Sequence, residues 1–232
     1  MTGHIAVVPV KGLTESKRRL SGELSVENRK VLVKALLEDV LAALVRADIY
    51  SNILVISPDQ DIADIAPLHG ASFVKQNNLG LNSAVEQATR LASRERAQSQ
   101  TIVLADIPLT EPRDFVELFK LGGNEPKVVM APSLKGGTNI MTMSPPNAIA
   151  PAYGRWSYAR HLRLAQRKQL RSYSMSNPRV SFDIDTVYDL TRLRRLDPER
   201  KTRSGKLAAE VTQTPTLARN SAHLRLQSSS TH

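Results

Sequence analysis

The sequence of 232 residues contains no cysteine, which excludes disulfide bonds, thiolate metal sites and cysteine nucleophiles. Aromatic residues make up only 4% of the chain, so it offers few platforms on which single-stranded nucleic acid could stack. No apolar run approaches the ~18 residues that cross a membrane. The start, Met1–His4, has no positively charged segment ahead of its apolar run, as a secretory signal would have. We therefore expect a cytoplasmic protein without membrane attachment.

Two common nucleotide-binding patterns are also missing. No G-x-G-x-x-G follows the first predicted strand, which disfavours a dinucleotide-dependent oxidoreductase. No G-x-x-x-x-G-K-[ST] occurs, which disfavours a Walker-type NTPase. A nucleotide site in this chain therefore needs a different phosphate-binding loop.

Positive charge is concentrated towards the C-terminus. The net charge is +10, and the segment 200–232 holds six cations against one anion, which accounts for half of that charge. The segment is also rich in serine and threonine and has little apolar periodicity. We predict a basic, disordered tail at 200–232, after a single domain formed by residues 1–199. The remaining charge on that domain suits an anionic small molecule as well as nucleic acid.

Apolar strands alternate with helical stretches through most of the chain. This alternation is typical of an α/β domain with a mostly parallel sheet and helices on both faces. Ser25 is the predicted N-cap of a long helix whose apolar residues repeat in pairs every four residues. The other predicted helices are Ile62–Ala66, Leu81–Ala97, Phe115–Leu121, Ser157–Gln169 and Val187–Leu196. The predicted strands are Ile5–Pro9, Ile53–Ile56, Ser72–Val74, Thr101–Ala105, Val128–Ala131, Ile140–Met143 and Val180–Asp183.

A cluster of cations follows the first strand. Lys11, Lys17 and Arg19 share one loop with Gly12, and strand ends are where open α/β sheets bind their ligands. Arginine can donate to two phosphate oxygens at once, lysine supplies a point charge, and glycine lets the backbone come close. The loop is a candidate for binding a triphosphate, and the alternative is a solvated basic loop.

Three aspartates are candidate metal ligands. Asp106 closes an apolar strand, where an unpaired carboxylate is costly unless it faces solvent or a metal. Asp183 and Asp185 are alternate residues, so an extended chain presents both carboxylates on one side. Together the three could supply the hard oxygen ligands that Mg²⁺ prefers. The alternatives are a turn or helix-cap role for Asp106 and a helix start at Asp185.

These motifs occur in a characteristic order along the chain. They are Val8-Pro9-Val10-Lys11, Ser16-Lys17-Arg18-Arg19-Leu20, Ser57-Pro58-Asp59, Gly80-Leu81-Asn82, Ala105-Asp106-Ile107-Pro108-Leu109, Ala131-Pro132-Ser133, Gly136-Gly137-Thr138-Asn139, Tyr153-Gly154 with Ser157 and His161, and Asp183-Ile184-Asp185-Thr186. In this order the chain resembles the 2-phospho-L-lactate or phosphoenolpyruvate guanylyltransferase family of deazaflavin coenzyme F-420 biosynthesis. The resemblance implies a single-domain, Rossmann-like nucleotidyltransferase fold. It also implies transfer of GMP from GTP to phosphoenolpyruvate, 2-phospho-L-lactate or 3-phosphoglycerate, with release of pyrophosphate.

The resemblance also assigns roles to particular residues. It implies Asp106 and Lys17 as catalytic residues, and Asp106, Asp183 and Asp185 as ligands of a Mg²⁺ cofactor. The implied nucleotide-binding residues are Lys11, Gly12, Lys17, Arg19, Asp59 and Asn82, and the implied acid-binding residues are Thr138, Gly154 and Ser157.

Several of these roles keep a structural alternative. Asp59 and Asn82 could contact guanine or ribose, but both are equally suited to helix capping and turn formation. Arg18 stands where the family has a small residue, which leaves open which arginine meets the triphosphate. For His161 a surface or half-buried position is favoured over a substrate contact.

Two rival functions are weighed against this one. The first is another nucleotidyltransferase that acts on a different NTP, phospho-acid or sugar phosphate. The second is a nucleic-acid-binding module that uses the tail and the basic helix Ser157–Gln169. In and beside this helix a basic group occurs without an acidic residue, formed by Arg155, Arg160, Arg163, Arg167, Lys168 and Arg171. The scarcity of aromatic residues disfavours this second function. The expected partners are GTP and a three-carbon phospho-acid, and a homodimer is left open.

Overall fold

The computed structural model describes residues 3–212. Its strands are β1 (His4–Pro9), β2 (Asn52–Ser57), β3 (Ser72–Lys75), β4 (Ser99–Val103), β5 (Lys127–Pro132), β6 (Thr138–Ser144) and β7 (Arg171–Ser174). Its helices are α1 (Val26–Ala47), α2 (Gln60–Leu68), α3 (Leu81–Arg94), α4 (Pro112–Lys120), α5 (Ser157–Arg167), α6 (Val187–Leu196) and α7 (Arg203–Thr212), with a short 3-10 helix at Arg18–Leu20.

The seven strands form one sheet in the order β3-β2-β1-β4-β6-β5-β7. Strands β3, β2, β1 and β4 are parallel, β6 runs antiparallel to both of its neighbours, and β7 is parallel to β5. Because most neighbouring strands within residues 3–212 run parallel, the predicted α/β fold class is confirmed. The carboxyl ends of β1 and β4 lie side by side, at the edge of a parallel sheet where ligands bind.

Both faces of the sheet are covered by helices, because alternate residues of each strand point in opposite directions. Ala6 and Val8 of β1 pack with α1, α2 and α4 on one face. Ile5 and Val7 pack with α3 on the other. Ser25 caps α1 as predicted, since its hydroxyl accepts a hydrogen bond from the Asn28 amide at 3.2 Å.

One predicted strand is wrong. Val180–Asp183 forms no strand: Val180 and Ser181 belong to a turn, and in the loop that follows the Ile184 amide donates to the Asp106 carbonyl at 3.0 Å. Val180, Phe182 and Ile184 are buried against the core, which accounts for their alternating apolar pattern without any ladder. The seventh strand is instead β7, whose polar, largely exposed residues at the sheet edge carry little apolar signal.

The structure also differs from the tail predicted to begin at Arg200. Residues 203–212 form α7, which packs Ala208 into the apolar cluster shared by α1 and α6. The carboxylate of Asp39 on α1 accepts hydrogen bonds from the amides of Arg203 and Ser204 at 2.7 and 2.9 Å. The sequence signal was hidden because α7 is short and its apolar side chains are mostly small. The rest of the predicted tail, 213–232, lies outside the described residues.

No helix in the described part of the chain combines the length and apolar character needed to cross a membrane.

Candidate active site

A large open pocket lies at the carboxyl ends of β1 and β4. Its volume is about 810 Å³. The loop that follows β1, the segment that follows β4 and the start of β6 contribute to its walls. Of the residues proposed from the sequence, those that line the pocket are Lys11, Lys17, Arg19, Asp106, Thr138, Gly154, Ser157, Asp183 and Asp185.

Lys17 joins two of the acidic segments. Its Nζ atom donates to Oδ2 of Asp106 at 2.6 Å and to Oδ1 of Asp185 at 3.4 Å, and only 11% of its side chain is exposed. Burial alone would lower the pKa of Lys17, but the two carboxylates outweigh burial and raise that pKa above its usual value. Lys17 is therefore a fixed cation between Asp106 and Asp185.

The loop that carries Lys17 is held from both sides. The Leu13 amide donates to Oδ2 of Asp59 at 2.9 Å, and Arg29 donates to the Ser16 carbonyl at 3.2 Å. Lys17 itself has a φ of 53°, a left-handed conformation that costs energy for a residue with a side chain. These contacts offset that cost, so the loop is pre-organised to direct Lys17 towards the aspartates.

Asp106 and the Asp183–Asp185 segment are locked together through the backbone, since the Ile184 amide donates to the Asp106 carbonyl. One carboxylate oxygen of Asp106, Oδ1, is buried and has no hydrogen-bond partner among residues 3–212. A buried acceptor without a partner costs free energy, which a bound cation would offset.

Asp185 does not cap α6. Thr186 caps the helix, and Asp189 accepts hydrogen bonds from the amides of Asp185 and Thr186 at 2.9 and 2.8 Å. The Asp185 side chain therefore points at cations and not at the helix, which speaks against the helix-start alternative.

Lys135 is the functional candidate that sequence reasoning missed. It stands in the turn between β5 and β6, and its Nζ atom lies 3.5, 3.3 and 3.3 Å from carboxylate oxygens of Asp183, Asp185 and Asp189. Gly136, with φ +80°, shapes the turn. The glycine pair marked a turn, but nothing in the sequence indicated that the turn would fold back over aspartates far along the chain.

The charges around the two segment aspartates shift their pKa values in opposite directions. Burial raises the pKa of Asp183 to about 6, and the nearby charge of Asp106 adds to this effect. Burial would also raise the pKa of Asp185, but Lys17 and Lys135 lower it below its usual range. Lys17 and Lys135 therefore compensate part of the negative charge that Asp183 and Asp185 bring together.

The other cations proposed for phosphate binding lie at the rim. Arg19 has a largely exposed side chain whose Nη1 lies 3.7 Å from Oδ2 of Asp185, whereas Arg18 pairs with Glu15. Lys11 is exposed on the pocket wall. Gly12 has an ordinary φ, and a Cβ there would meet only Pro58 at 3.9 Å, so the backbone does not require glycine at this position.

Two residues proposed for guanine or ribose contacts have structural partners. Asp59 caps α2 by accepting from the Asp61 amide at 3.1 Å, in addition to its bond with Leu13. Asn82 accepts from the Tyr153 amide at 2.7 Å and donates to the Tyr153 carbonyl at 3.3 Å. Neither residue is part of the pocket wall formed by residues 3–212.

Thr138, Gly154 and Ser157 come together on the opposite wall. The Ser157 hydroxyl donates to Oγ1 of Thr138 at 3.2 Å, and Gly154 has a φ of 125°, which residues with a Cβ rarely adopt. His161 is fully buried behind them, with Nδ1 3.0 Å from Oγ1 of Thr138, so the surface or half-buried position expected from the sequence is wrong.

Most of the basic helix faces away from this pocket. Arg163 and Arg167 of α5 are exposed, as is Arg171 at the start of β7, and Arg155 is the member of the basic group that lines the pocket within the described residues. Arg160 donates to the Tyr153 carbonyl at 3.1 Å and thereby supports the turn around Gly154.

The three proposed metal ligands are carboxylates, which are the type of donor that Mg²⁺ prefers. They offer hard carboxylate oxygens in one pocket, and one of those oxygens is buried without a partner among residues 3–212. The carboxylates are nevertheless spread apart, since the described part of the chain contains no group of three acidic or histidine side chains placed to hold an ion. Lys17 and Lys135 lie between the carboxylates instead.

Comparison with known proteins identifies close relatives. The family model described as "Guanylyl transferase CofC like" matches residues 4–207. The phosphoenolpyruvate guanylyltransferase of Rubrobacter xylanophilus is 38% identical over 189 residues, which cover 81% of this chain and 92% of the relative. The 3-phospho-D-glycerate guanylyltransferase of Colwellia psychrerythraea is 34% identical over a stretch that covers 81% of this chain and 89% of the relative. The 2-phospho-L-lactate guanylyltransferase of Methanocaldococcus vulcanius is also 34% identical and covers 80% and 82%.

Solved structures share the fold at lower identity. A protein described as a nucleotide-diphospho-sugar transferase from Desulfovibrio desulfuricans G20 has a TM-score of 0.75 and 19% identity, and covers 92% of this chain and 98% of its own. A nucleotidyl transferase from Methanothermobacter thermautotrophicus has a TM-score of 0.62 and 14% identity, and the match covers 86% of this chain and 99% of that protein. At such identities the likeness supports a Rossmann-like nucleotidyltransferase architecture, as predicted.

Proposed function

The chain belongs to the CofC-like guanylyl transferase family, and from this premise we propose that it transfers GMP from GTP to the phosphate of a three-carbon phospho-acid. Pyrophosphate is the second product, and the reaction serves deazaflavin coenzyme F-420 biosynthesis. The observation that carries the proposal is the contact of Lys17 with both Asp106 and Asp185 at the mouth of the strand-end pocket. This contact places cationic and anionic groups together where two highly charged reactants would have to meet.

The chemistry explains why the reaction requires no histidine or serine nucleophile. An oxygen of the acceptor phosphate forms a bond to the α-phosphorus of GTP, and the bond from that phosphorus to the α–β bridging oxygen breaks. A phosphate monoester has a second pKa near ~6, so it is already largely dianionic at neutral pH and needs no general base. The barrier lies in holding two anions in line, so the chain's contribution is positioning and neutralisation of charge.

The cations of the first loop are suited to the leaving group. Lys17, with its raised pKa, stays protonated and is held rigidly. Arg19 and Lys11 lie at the rim, where they have room to turn towards the β- and γ-phosphates. In this assignment Lys17 is fixed near the reacting centre, and the two rim cations bind the departing pyrophosphate.

Asp106, Asp183 and Asp185 would hold a Mg²⁺ cofactor. When bound, Mg²⁺ would supply Lewis-acid polarisation of the α-phosphate oxygens. Oδ1 of Asp106 is buried without a hydrogen-bond partner among residues 3–212, and burial raises the pKa of Asp183 to about 6, so a bound cation would stabilise both carboxylates. That is the electrostatic condition under which a divalent cation binds well.

The opposite wall is suited to the acid. Thr138 and Ser157 bring hydroxyl groups to the start of α5, and the turn at Gly154 lets the acid approach the backbone. We place phosphoenolpyruvate first among the acceptors, because a relative of that name has the highest identity among the three described above. The acceptors 2-phospho-L-lactate and 3-phosphoglycerate follow.

The experiment pairs each of the four NTPs with each of the three acids, in the presence of Mg²⁺, and identifies products by mass spectrometry. We expect a GMP-linked acid and one equivalent of pyrophosphate with GTP and phosphoenolpyruvate, and no product with heat-denatured protein. A product formed only with CTP, or only with sugar phosphates, would replace the proposed substrates. Absence of any product, together with tight and strongly salt-dependent RNA binding, would overturn the enzymatic proposal.

A further inference from the structure

A row of buried polar side chains lies behind the acid-binding wall. His161, Thr138 and Ser157 are 0%, 1% and 2% exposed, and Thr138 is hydrogen-bonded to both of the others. Nδ1 of His161 is 3.0 Å from Oγ1 of Thr138, and the Ser157 hydroxyl is 3.2 Å from the same oxygen. Only Thr138 and Ser157 of the three line the pocket, so His161 cannot reach a ligand directly.

The direction of these hydrogen bonds is fixed by one backbone amide. The Ala152 N–H can only donate, and it lies 2.9 Å from Nε2 of His161, so Nε2 must be an acceptor. A neutral imidazole carries one proton, which must therefore sit on Nδ1 and be donated to Thr138. Burial lowers the pKa of His161 to about 4, with a further contribution from the charge of Arg160, which is consistent with a neutral ring.

The ring is also held mechanically. The aromatic ring of Tyr153 packs edge-on against the imidazole at a centroid distance of 4.9 Å. Because the backbone of Tyr153 is held by Asn82, the imidazole has a rigid neighbour at this side. This packing keeps both ring nitrogens aligned with their partners.

These hydrogen bonds determine the direction in which the Thr138 hydroxyl can donate. A hydroxyl oxygen has two acceptor positions and one proton to donate. Both acceptor positions of Thr138 are used, one by His161 and one by the Ser157 hydroxyl. Its proton must therefore go elsewhere, and Thr138 borders the pocket. An outward O–H donor favours an anionic oxygen and disfavours a donor group at this place.

We propose that His161 is a positioning residue that fixes the Thr138 hydroxyl as a hydrogen-bond donor to an anionic oxygen of the acceptor acid. This inference rests on the proposed function, because the ligand it describes is the phosphorylated acid. It assigns to His161 an effect on binding of the acid and none on binding of GTP.

A double-mutant cycle separates this role from a structural one. We expect His161→Leu to raise the KM for the acid by about 10-fold, since one hydrogen bond to a charged group loses its preferred direction. The KM for GTP should stay within about twofold. In the Thr138→Val background, which has no hydroxyl to direct, His161→Leu should add almost nothing. His161→Gln retains a donor and an acceptor and should restore part of the loss.

The proposal would be overturned if His161→Leu raised the KM for the acid equally in the wild-type and Thr138→Val proteins. A parallel rise in the KM for GTP would overturn it too. Thermal melts check that each variant folds. If His161→Leu fails to fold, the cycle is run with His161→Gln in its place. A positioning role then predicts a smaller rise in the KM for the acid, and this rise also vanishes with Thr138→Val. If the wild-type protein transfers GMP to no acid, the proposed function itself fails, which is a distinct result.

A second measurement needs no substrate. Nitrogen-15 NMR of the wild-type protein reports which imidazole nitrogen of His161 carries the proton, with His161→Gln used to assign the signal. We expect a protonated Nδ1 and an unprotonated Nε2 at neutral pH. The opposite tautomer, or a doubly protonated ring, would remove the fixed donor direction and the proposal with it.

Discussion

The ammonium group of Lys17 lies 2.6 Å from the carboxylate of Asp106, although 89 positions separate the two residues in the sequence. The contact forms because β1 and β4 are parallel neighbours in the sheet, so the loop after one strand meets the segment after the other. Sheet topology thus converts two distant segments into one charged centre.

Replacement of Asp106 tests this centre. We expect Asp106→Asn to keep the fold and to lower kcat for GMP transfer by about 100-fold or more at saturating Mg²⁺, because the amide removes a charge that pairs with Lys17 and that would bind the proposed Mg²⁺. The measurement is pyrophosphate release with GTP and the preferred acid. Asp64→Asn, on the exposed face of α2, is the matched control and should retain wild-type turnover. Near-normal turnover of Asp106→Asn would take this residue out of the mechanism.

Lys135 lies against the carboxylates that the proposed Mg²⁺ would use. Its ammonium is close to Asp183, Asp185 and Asp189, and about half of its side chain is exposed, so water screens the interaction in part. We expect Lys135→Met to bind Mg²⁺ about 3–10-fold more tightly, as measured by calorimetry without substrates.

The melting temperature of Lys135→Met gives a second test of the role of Lys135. The metal-free form of Lys135→Met should melt at a lower temperature than the wild type, because three carboxylates lose a counter-charge. Lys34→Met is the control, since Lys34 pairs with Asp61 elsewhere on the surface. Weaker Mg²⁺ binding by Lys135→Met would show that Lys135 assists the metal and does not compete with it.

Buried His161 should make stability depend on pH in a defined window. Its folded pKa, about 4, lies below the ordinary 6.5, so the unfolded chain takes up the proton first as the pH falls. The contribution of His161 to stability is therefore complete above pH ~6.5 and is lost progressively between pH ~6.5 and ~4, by about 1–2 kcal/mol at pH ~5. Denaturant titrations at pH 7 and 5 should show a larger loss for the wild type than for His161→Gln. The same loss in both proteins would assign the effect to other groups.

The sequence was sufficient for those features that depend on local pattern or on motif order. The buried pairs of α1, the cap at Ser25 and the apolar central strands follow from periodicity and side-chain chemistry alone. Edge strand β7 was missed because an exposed, polar strand has no apolar alternation. Residues 180–183 were wrongly predicted as a strand because the buried side chains of Val180, Phe182 and Ile184 alternate as in a strand, although they belong to a turn and the loop after it.

The site shows the same division. Asp106, Asp183, Asp185 and Lys17 could be proposed because each follows an apolar segment or belongs to a family motif. Lys135 and the buried position of His161 depend on how distant segments stack, which a single sequence does not encode in any local pattern. Asp59 was proposed for guanine or ribose, but its carboxylate accepts hydrogen bonds from the amides of Leu13 and Asp61.

The docking of α7 makes residues 203–212 part of the folded domain. Ser204 and Ala209 are fully buried, and Asp39 receives the first amides of the helix, so deletion of 203–232 exposes the apolar surfaces of α1 and α6. We expect that deletion to lower the melting temperature by several degrees, whereas deletion of 213–232, the matched control, should lower it less. Asp39→Ala in the full chain should cost about 1–2 kcal/mol in the free energy of unfolding, because the amides of Arg203 and Ser204 lose the side chain that accepts their hydrogen bonds, as when a helix cap is removed. Equal melting temperatures for the two truncated proteins would show that α7 adds nothing to the domain, and the boundary would return to residue 199.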